Sequence, residues 1–144
     1  MRGYVDAKQG ATPLDASDVE PIARGQIALE DAVIAAGVAA RAPLVVLDTD
    51  VLSTAVYARH YYGDCPAWIE RAVVQRRAAL YLLCHPDVPW VPDPQRDGPL
   101  ASAVINELFV GKLARVGARV VDLRGAWEAR ERLAVAAVDA LLRE

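Results

Sequence analysis

Leu44-Val45-Val46-Leu47-Asp48-Thr49-Asp50 is an uninterrupted apolar run that ends in two carboxylates. Bounded in front by Pro43, such a run reads as a β-strand buried on both faces, and strands of that kind belong to parallel sheets covered by helices. In open α/β sheets ligands bind beyond the carboxyl ends of the strands. Acids in that position suit a hard cation such as Mg²⁺, which takes one or two carboxylates and completes its shell with substrate phosphates and water. The segment thus points toward nucleotide chemistry on an α/β frame.

The rest of the chain alternates in the way that frame requires. Met1 to Pro13 reads as irregular. Asp15 or Ser17 can cap a helix, and Glu20 three residues after Ser17 makes a capping-box pattern. Val19, Ile22, Ala23, Ile27, Val33, Ile34 and Val38 follow helical spacing, with Pro21 in the first turn, where proline is tolerated. After the acidic strand, Val51 to Tyr61 reads as a helix, Gly63 to Pro66 as a turn, and Ala67 to Gln75 as a short helix. Ala78 to Cys84 is a second buried-strand candidate. His85 to Pro99 holds Pro86, Pro89, Pro92, Pro94, Gly98 and Pro99, a density of proline that no helix or central strand survives. A loop of this length in a compact domain is commonly functional. Leu100 to Val116 is a helix, Arg119 to Leu123 a third strand, and Ala126 to Leu142 a closing helix. The expectation is an α/β fold, a three-layer parallel sheet flanked by helices, in one domain over 1–144.

Composition narrows the classes. A net charge of −3 argues against a general nucleic-acid or membrane-surface binder. No apolar run approaches the roughly 20 residues of a bilayer span, and the polar N-terminus lacks the core of a secretory signal, so the chain reads as cytoplasmic. Cys65 and Cys84 form no CxxC pair and only His60 and His85 are present, which disfavours a zinc site. Cys84, at the end of an apolar run, reads as a core residue. Both histidines read as surface or partly buried structural groups, and Arg71, Arg76 and Arg77 as a solvated helix face.

Several of these segments, taken in order, resemble the P-loop kinase domain of the NadR type, the ribosylnicotinamide kinase family and its AAA-like relatives. Leu47-Asp48-Thr49-Asp50 is similar to that family's Walker B ending, and Tyr61-Tyr62-Gly63 to its Tyr-x-Gly segment. Leu80 to Leu83, then Pro89-Trp90-Val91-Pro92-Asp93 and Arg96-Asp97, look like its fourth strand and lid. Gln26 falls in a helix similar to the family's Gln-containing helix, and Arg2 matches an arginine that follows its second strand. The resemblance covers most of the chain from about Asp15. It implies a partial P-loop NTPase fold, ATP and Mg²⁺ as cofactors, and a small nucleoside substrate such as ribosylnicotinamide.

The departure from the family is large. A phosphate loop needs GxxxxGK[ST], and the only lysines are Lys8 and Lys112. Lys8 precedes Gln9. Gly111-Lys112-Leu113 lacks the hydroxyl residue and the first glycine. The family's first strand, phosphate loop and second strand would precede Met1, so Met1 is expected to be an internal methionine of a longer kinase. Loss of the central first strand would leave a gap beside the acidic strand.

Each candidate residue has a chemical role and a purely structural alternative. Asp48 is the metal-holding acid, or a strand-end helix cap. Asp50 contacts the substrate hydroxyl or helps place the metal, or is an N-cap. Arg96 is the lid guanidinium over the transferring phosphoryl group, or a solvated arginine paired with Asp93 or Asp97. Tyr61, Tyr62 and Trp90 stack on a nucleoside, or pack at a rim. Gln26 reads a base or carboxamide edge, or faces solvent. Asp93 and Arg2 are assigned to substrate binding through the resemblance alone.

Three functions follow. The first is an ATP-dependent nucleoside kinase domain, expected to be inactive or nearly so without its phosphate cradle. The second is a non-catalytic remnant whose exposed sheet edges invite self-association. The third is a Mg²⁺-dependent nuclease of the PIN type, because Val46-Leu47-Asp48-Thr49-Asp50-Val51-Leu52 is also close to that family's opening strand. Against the third, 43 residues precede the strand, the further acids are thin, with Glu70 one candidate and no later strand-end acid pair, and the proline-rich loop has no role in that fold.

Overall fold

The computed structural model describes residues 14–89 and 98–144. The chain divides into two compact units, Met1–Arg76 and Arg77–Glu144.

The first unit is helical among its described residues. A 3-10 turn, Ala16–Asp18, leads into α1, Val19–Ala39; α2 follows at Val51–Tyr62 and α3 at Ala67–Gln75. The capping box is present but lies two residues earlier than the Ser17/Glu20 pattern suggests, at Asp15 and Asp18. The Asp15 carboxylate accepts from Ser17 N at 2.8 Å, and Asp18 returns the bond to Asp15 N at 2.9 Å. Ser17 instead donates its hydroxyl to Asp15 at 2.6 Å. Asp50 caps α2, and Gly63, at φ 73°, closes it in the left-handed conformation that glycine adopts without strain. The core forms where the apolar faces of the three helices meet. Val51, Leu52, Ile69 and Val73 are its largest fully buried side chains, and each such burial stabilises by about 1.5–3 kcal/mol.

The second unit is a βαβα arrangement. β1, Tyr81–Cys84, and β2, Val120–Leu123, are parallel neighbours, joined by α4, Pro99–Arg115, and followed by α5, Trp127–Leu141. The register pairs Tyr81 with Val120 and Leu83 with Asp122. A parallel pair needs a long crossover, and α4 supplies it. Pro99 sits at the first position of α4, where its missing N–H costs nothing.

A small parallel sheet flanked by helices is thus present, but with two strands among the described residues rather than three. The expected strand at Leu44–Asp48 is not a strand. No backbone group of residues 44–48 has a hydrogen-bond partner among the described residues, and without a neighbour to share a ladder an apolar run cannot become one. Burial on both faces also fails, since Val46 is 72% exposed. Cys84, expected in a core, is exposed at the end of β1.

Candidate functional site

The acidic segment rests on α1. A Cβ placed on Gly37 would come within 2.4 Å of Val45 Cγ2, so the segment lies directly against the helix there. Thr49 then takes φ 68°, a left-handed conformation that is rare for a β-branched residue and is commonly stored at functional sites.

A buried polar group holds this turn from beneath. Val19, Ala23, Gln26 and Glu30 form the buried stripe of α1. Gln26 donates from Nε2 to the Thr49 carbonyl and to Glu30, each at 3.3 Å. Glu30, 3% exposed, accepts the Val51 backbone N–H at 2.8 Å and the Arg76 Nε–H at 3.0 Å. Arg76 also reaches Asp31 at 2.5 Å. The Asp31 hydrogen bond, then the Glu30 carboxylate, raise the proton affinity of Arg76 above that of an ordinary arginine, against burial. Gln26 is therefore a buried strut of the acidic turn, not a solvent-facing residue. Arg76 is an ion-pair partner rather than part of a solvated face.

The two acids have separate fates. Asp50 spends a carboxylate oxygen on Leu52 N at 3.0 Å, while its carbonyl accepts Ser53 N at 3.0 Å. It is the helix cap that its structural alternative foresees. Asp48 is exposed and has no hydrogen-bond or ion-pair partner among the described residues. A lone unengaged carboxylate fits Mg²⁺ only as that ion is usually held, with water and phosphates as the other ligands. Among the described residues no group of three or more His, Cys, Asp or Glu can hold a metal by itself. Glu70, which a nuclease would recruit, is held by Arg59 at 3.2 Å.

The structure brings Asp48, Asp50 and Gln26 together and leaves the tyrosines apart from them. Tyr61 and Tyr62 occupy the far end of α2, about 16 Å along the axis from Asp50. Both are exposed, and Tyr61 stacks on Tyr57 at 6.1 Å. Arg2, Trp90, Asp93 and Arg96 lie outside the described residues. Glu30 and Arg76 are the members that sequence reasoning misses. Glu30 carries a readable signal, because it continues the apolar stripe 19–23–26 at helical spacing where a charge is out of place.

In the second unit a polar cluster sits at the carboxyl ends of both strands. His85, 3% exposed, has Nε2 2.5 Å from Asp122 Oδ1 and Nδ1 3.2 Å from Asn106 Nδ2. Arg130 on α5 is 5% exposed. It donates to the His85 carbonyl at 2.9 Å, to the Gly125 carbonyl at 2.8 Å and to the Asp87 carboxylate. Asp87 in turn accepts the Gly125 N–H at 2.8 Å. That bond, then the charge of Arg130, lowers the Asp87 pKa below the usual carboxylate value. With both ring nitrogens matched, His85 is structural, and deeper in the unit than its sequence context suggests.

A family profile described as "AAA domain" matches residues 1–130. The chain belongs to the AAA domain family. The family is of the P-loop NTPase type, whose members generally bind ATP and Mg²⁺. No curated protein matches the chain. No GxxxxGK[ST] occurs in the 144 residues of this AAA domain. Among the described residues no helix is long and apolar enough to cross a membrane.

Proposed function

We propose that this AAA domain is the acid-bearing part of a NadR-like nucleoside kinase, one that transfers the ATP γ-phosphate to a small hydroxyl substrate such as ribosylnicotinamide. The observation that carries the reading is the contrast between Asp48 and Asp50. Asp50 fixes the start of α2, Gln26 and Glu30 hold the turn from below, and Asp48 alone is left with its carboxylate turned to solvent and unengaged. A carboxylate presented that way on a strained turn is suited to a hydrated cation. Bound Mg²⁺ would supply charge neutralisation at the phosphates. Asp48 would orient that cation through its water. In this reading Arg96 covers the phosphoryl group, and Trp90, Asp93, Tyr61, Tyr62 and Arg2 line the substrate side.

The reading requires a phosphate loop from outside these 144 residues, since neither Lys8 nor Lys112 stands in one. The 144-residue chain is accordingly expected to show no measurable Mg-ATP binding. The test is the in-frame product of the DNA upstream of Met1. It should carry GxxxxGK[ST], bind Mg-ATP and phosphorylate a nucleoside, and Asp48→Ala should lower turnover by at least a hundredfold. A stop codon close upstream with no such motif would overturn the kinase reading and favour a non-catalytic remnant.

A further inference from the structure

We infer that two copies of this chain associate through the outer edge of β1, which pairs antiparallel with β1 of the second copy across a two-fold axis at Leu82. The first observation is which backbone groups of β1 are spent. Tyr81 N donates to the Arg119 carbonyl at 2.9 Å, and His85 N to the Leu123 carbonyl at 3.1 Å. In a parallel pair the bonds come at every second residue, so Tyr81, Leu83 and His85 face β2. Leu80, Leu82 and Cys84 turn their N–H and C=O groups to the other side, where β1 has no neighbour among the described residues.

The second observation is how the two edges of the sheet are guarded. Sheet edges that stay unpaired in solution carry charge or proline. The outer edge of β2 has Asp122 at its centre, 56% exposed, with Arg119 and Arg124 on either side. Pairing β2 with itself there would set Asp122 against its own counterpart, and like charges opposed across strands are destabilising. Leu80-Tyr81-Leu82-Leu83-Cys84 carries no charge, and none of its five residues is buried. The apolar edge is the one that lacks protection.

The register selects the partner. With the axis at Leu82, Leu82 meets Leu82 of the second copy, and Leu80 meets its Cys84, each pair exchanging both backbone bonds. All three outward residues of β1 are then paired with one another, and the contact is the same on both copies and closed. Between those pairs Tyr81 lies opposite the second copy's Leu83, an aromatic–aliphatic contact that occurs twice. Moving the axis one residue toward the C-terminus brings Pro86, which has no N–H, into the ladder. Moving it the other way brings in Ala78, whose N–H is given to Tyr81 Oη at 3.3 Å.

The test is sedimentation equilibrium of the full 144-residue chain. The expected result is a dimer in the range of tens of micromolar. Leu82→Pro removes the outward N–H at the axis and leaves the bonds to β2 in place, as proline does in an edge strand. It should weaken association at least tenfold with an unchanged circular-dichroism signal. Val120→Pro makes the same change on the outer edge of β2 and should leave the dimer intact. A nitroxide on Cys84, the exposed cysteine, reads the register. The two Cys84 Cα atoms should lie about 14 Å apart, four residues along and one strand across, so the label's spectrum should broaden at dimer concentrations. A monomer at roughly 100 μM, a dimer insensitive to Leu82→Pro, equal loss in both proline variants, or an unbroadened label in the dimer would each overturn the inference.

Discussion

Glu30 Oε1 lies 2.8 Å from the backbone nitrogen of Val51, so a carboxylate buried on α1 closes the first turn of α2. The acid is placed where a helix N-terminus is positive, and its other oxygen is taken by Arg76 at 3.0 Å. Removing it leaves the Val51 N–H without its acceptor and the Gln26 amide with the Thr49 carbonyl alone. Glu30→Ala should destabilise the first unit by about 2–3 kcal/mol, toward the low end for a broken buried pair because Arg76 keeps Asp31. Glu30→Gln, which retains an acceptor, should cost about half as much. Urea unfolding followed by far-UV circular dichroism measures both, and an unmoved midpoint for Glu30→Ala would contradict the role assigned to it.

Asp48 and Asp50 should separate in the same measurement. Asp50→Ala removes a helix cap and should cost about 1 kcal/mol, with Asp50→Ser or Asp50→Asn recovering most of it. Asp48→Ala removes an exposed, unengaged carboxylate and should change stability by less than about 0.5 kcal/mol. If the two alanine variants were equally unstable, Asp48 would be a structural group and would lose its claim on a cation.

The helices and the two paired strands were legible because periodicity and punctuation agreed. Pro21 in a first turn, Gly63 at a helix end, and β-rich runs at 81–84 and 120–123 each state a local preference that tertiary structure has no reason to override. Leu44–Asp48 failed for a non-local reason. Its composition reports a strand's preference for burial, but a ladder needs a neighbour, and a single run cannot say whether one is supplied. Asp48 and Asp50 could be found from type and position alone. Which of them is spent on α2 depends on whose carboxylate meets the Leu52 N–H, a matter of a few ångströms that spacing does not encode. Arg76 looks solvated in sequence because its partners, Glu30 and Asp31, lie 45 or more residues away.

Acid should loosen the second unit through Asp87. Its pKa is held below the ordinary carboxylate value by the Gly125 N–H and then by Arg130. The folded state therefore binds fewer protons than the unfolded state as pH falls through the carboxylate range. The stability this provides is complete above the unfolded value, near pH 3.9, and is lost as pH drops toward the lower folded value. Asp87→Asn should flatten that part of the profile while leaving the slope above pH 5 unchanged. Urea midpoints from pH 3 to pH 7 would show it, and an identical acid limb in the variant would mean that the Arg130 contact carries no linkage.

Three helical glycines should respond in opposite directions to the same change. Glycine inside a helix costs about 0.5–1 kcal/mol relative to alanine. Around Gly25 in α1 and Gly111 in α4 a new Cβ would meet nothing within 4 Å, so Gly25→Ala and Gly111→Ala should each stabilise by about that amount. At Gly37 the Cβ would sit 2.4 Å from Val45 Cγ2, and the acidic segment would have to lift from the helix. Overpacking of this kind typically costs about 1–3 kcal/mol, which exceeds the gain in propensity. Gly37→Ala should therefore be net destabilising, and amide exchange at Val51 and Leu52, whose N–H groups are bonded to Glu30 and Asp50, should speed up with it. Should Gly37→Ala stabilise as the other two do, the contact between Val45 and α1 that sets the place of the acidic turn would be refuted.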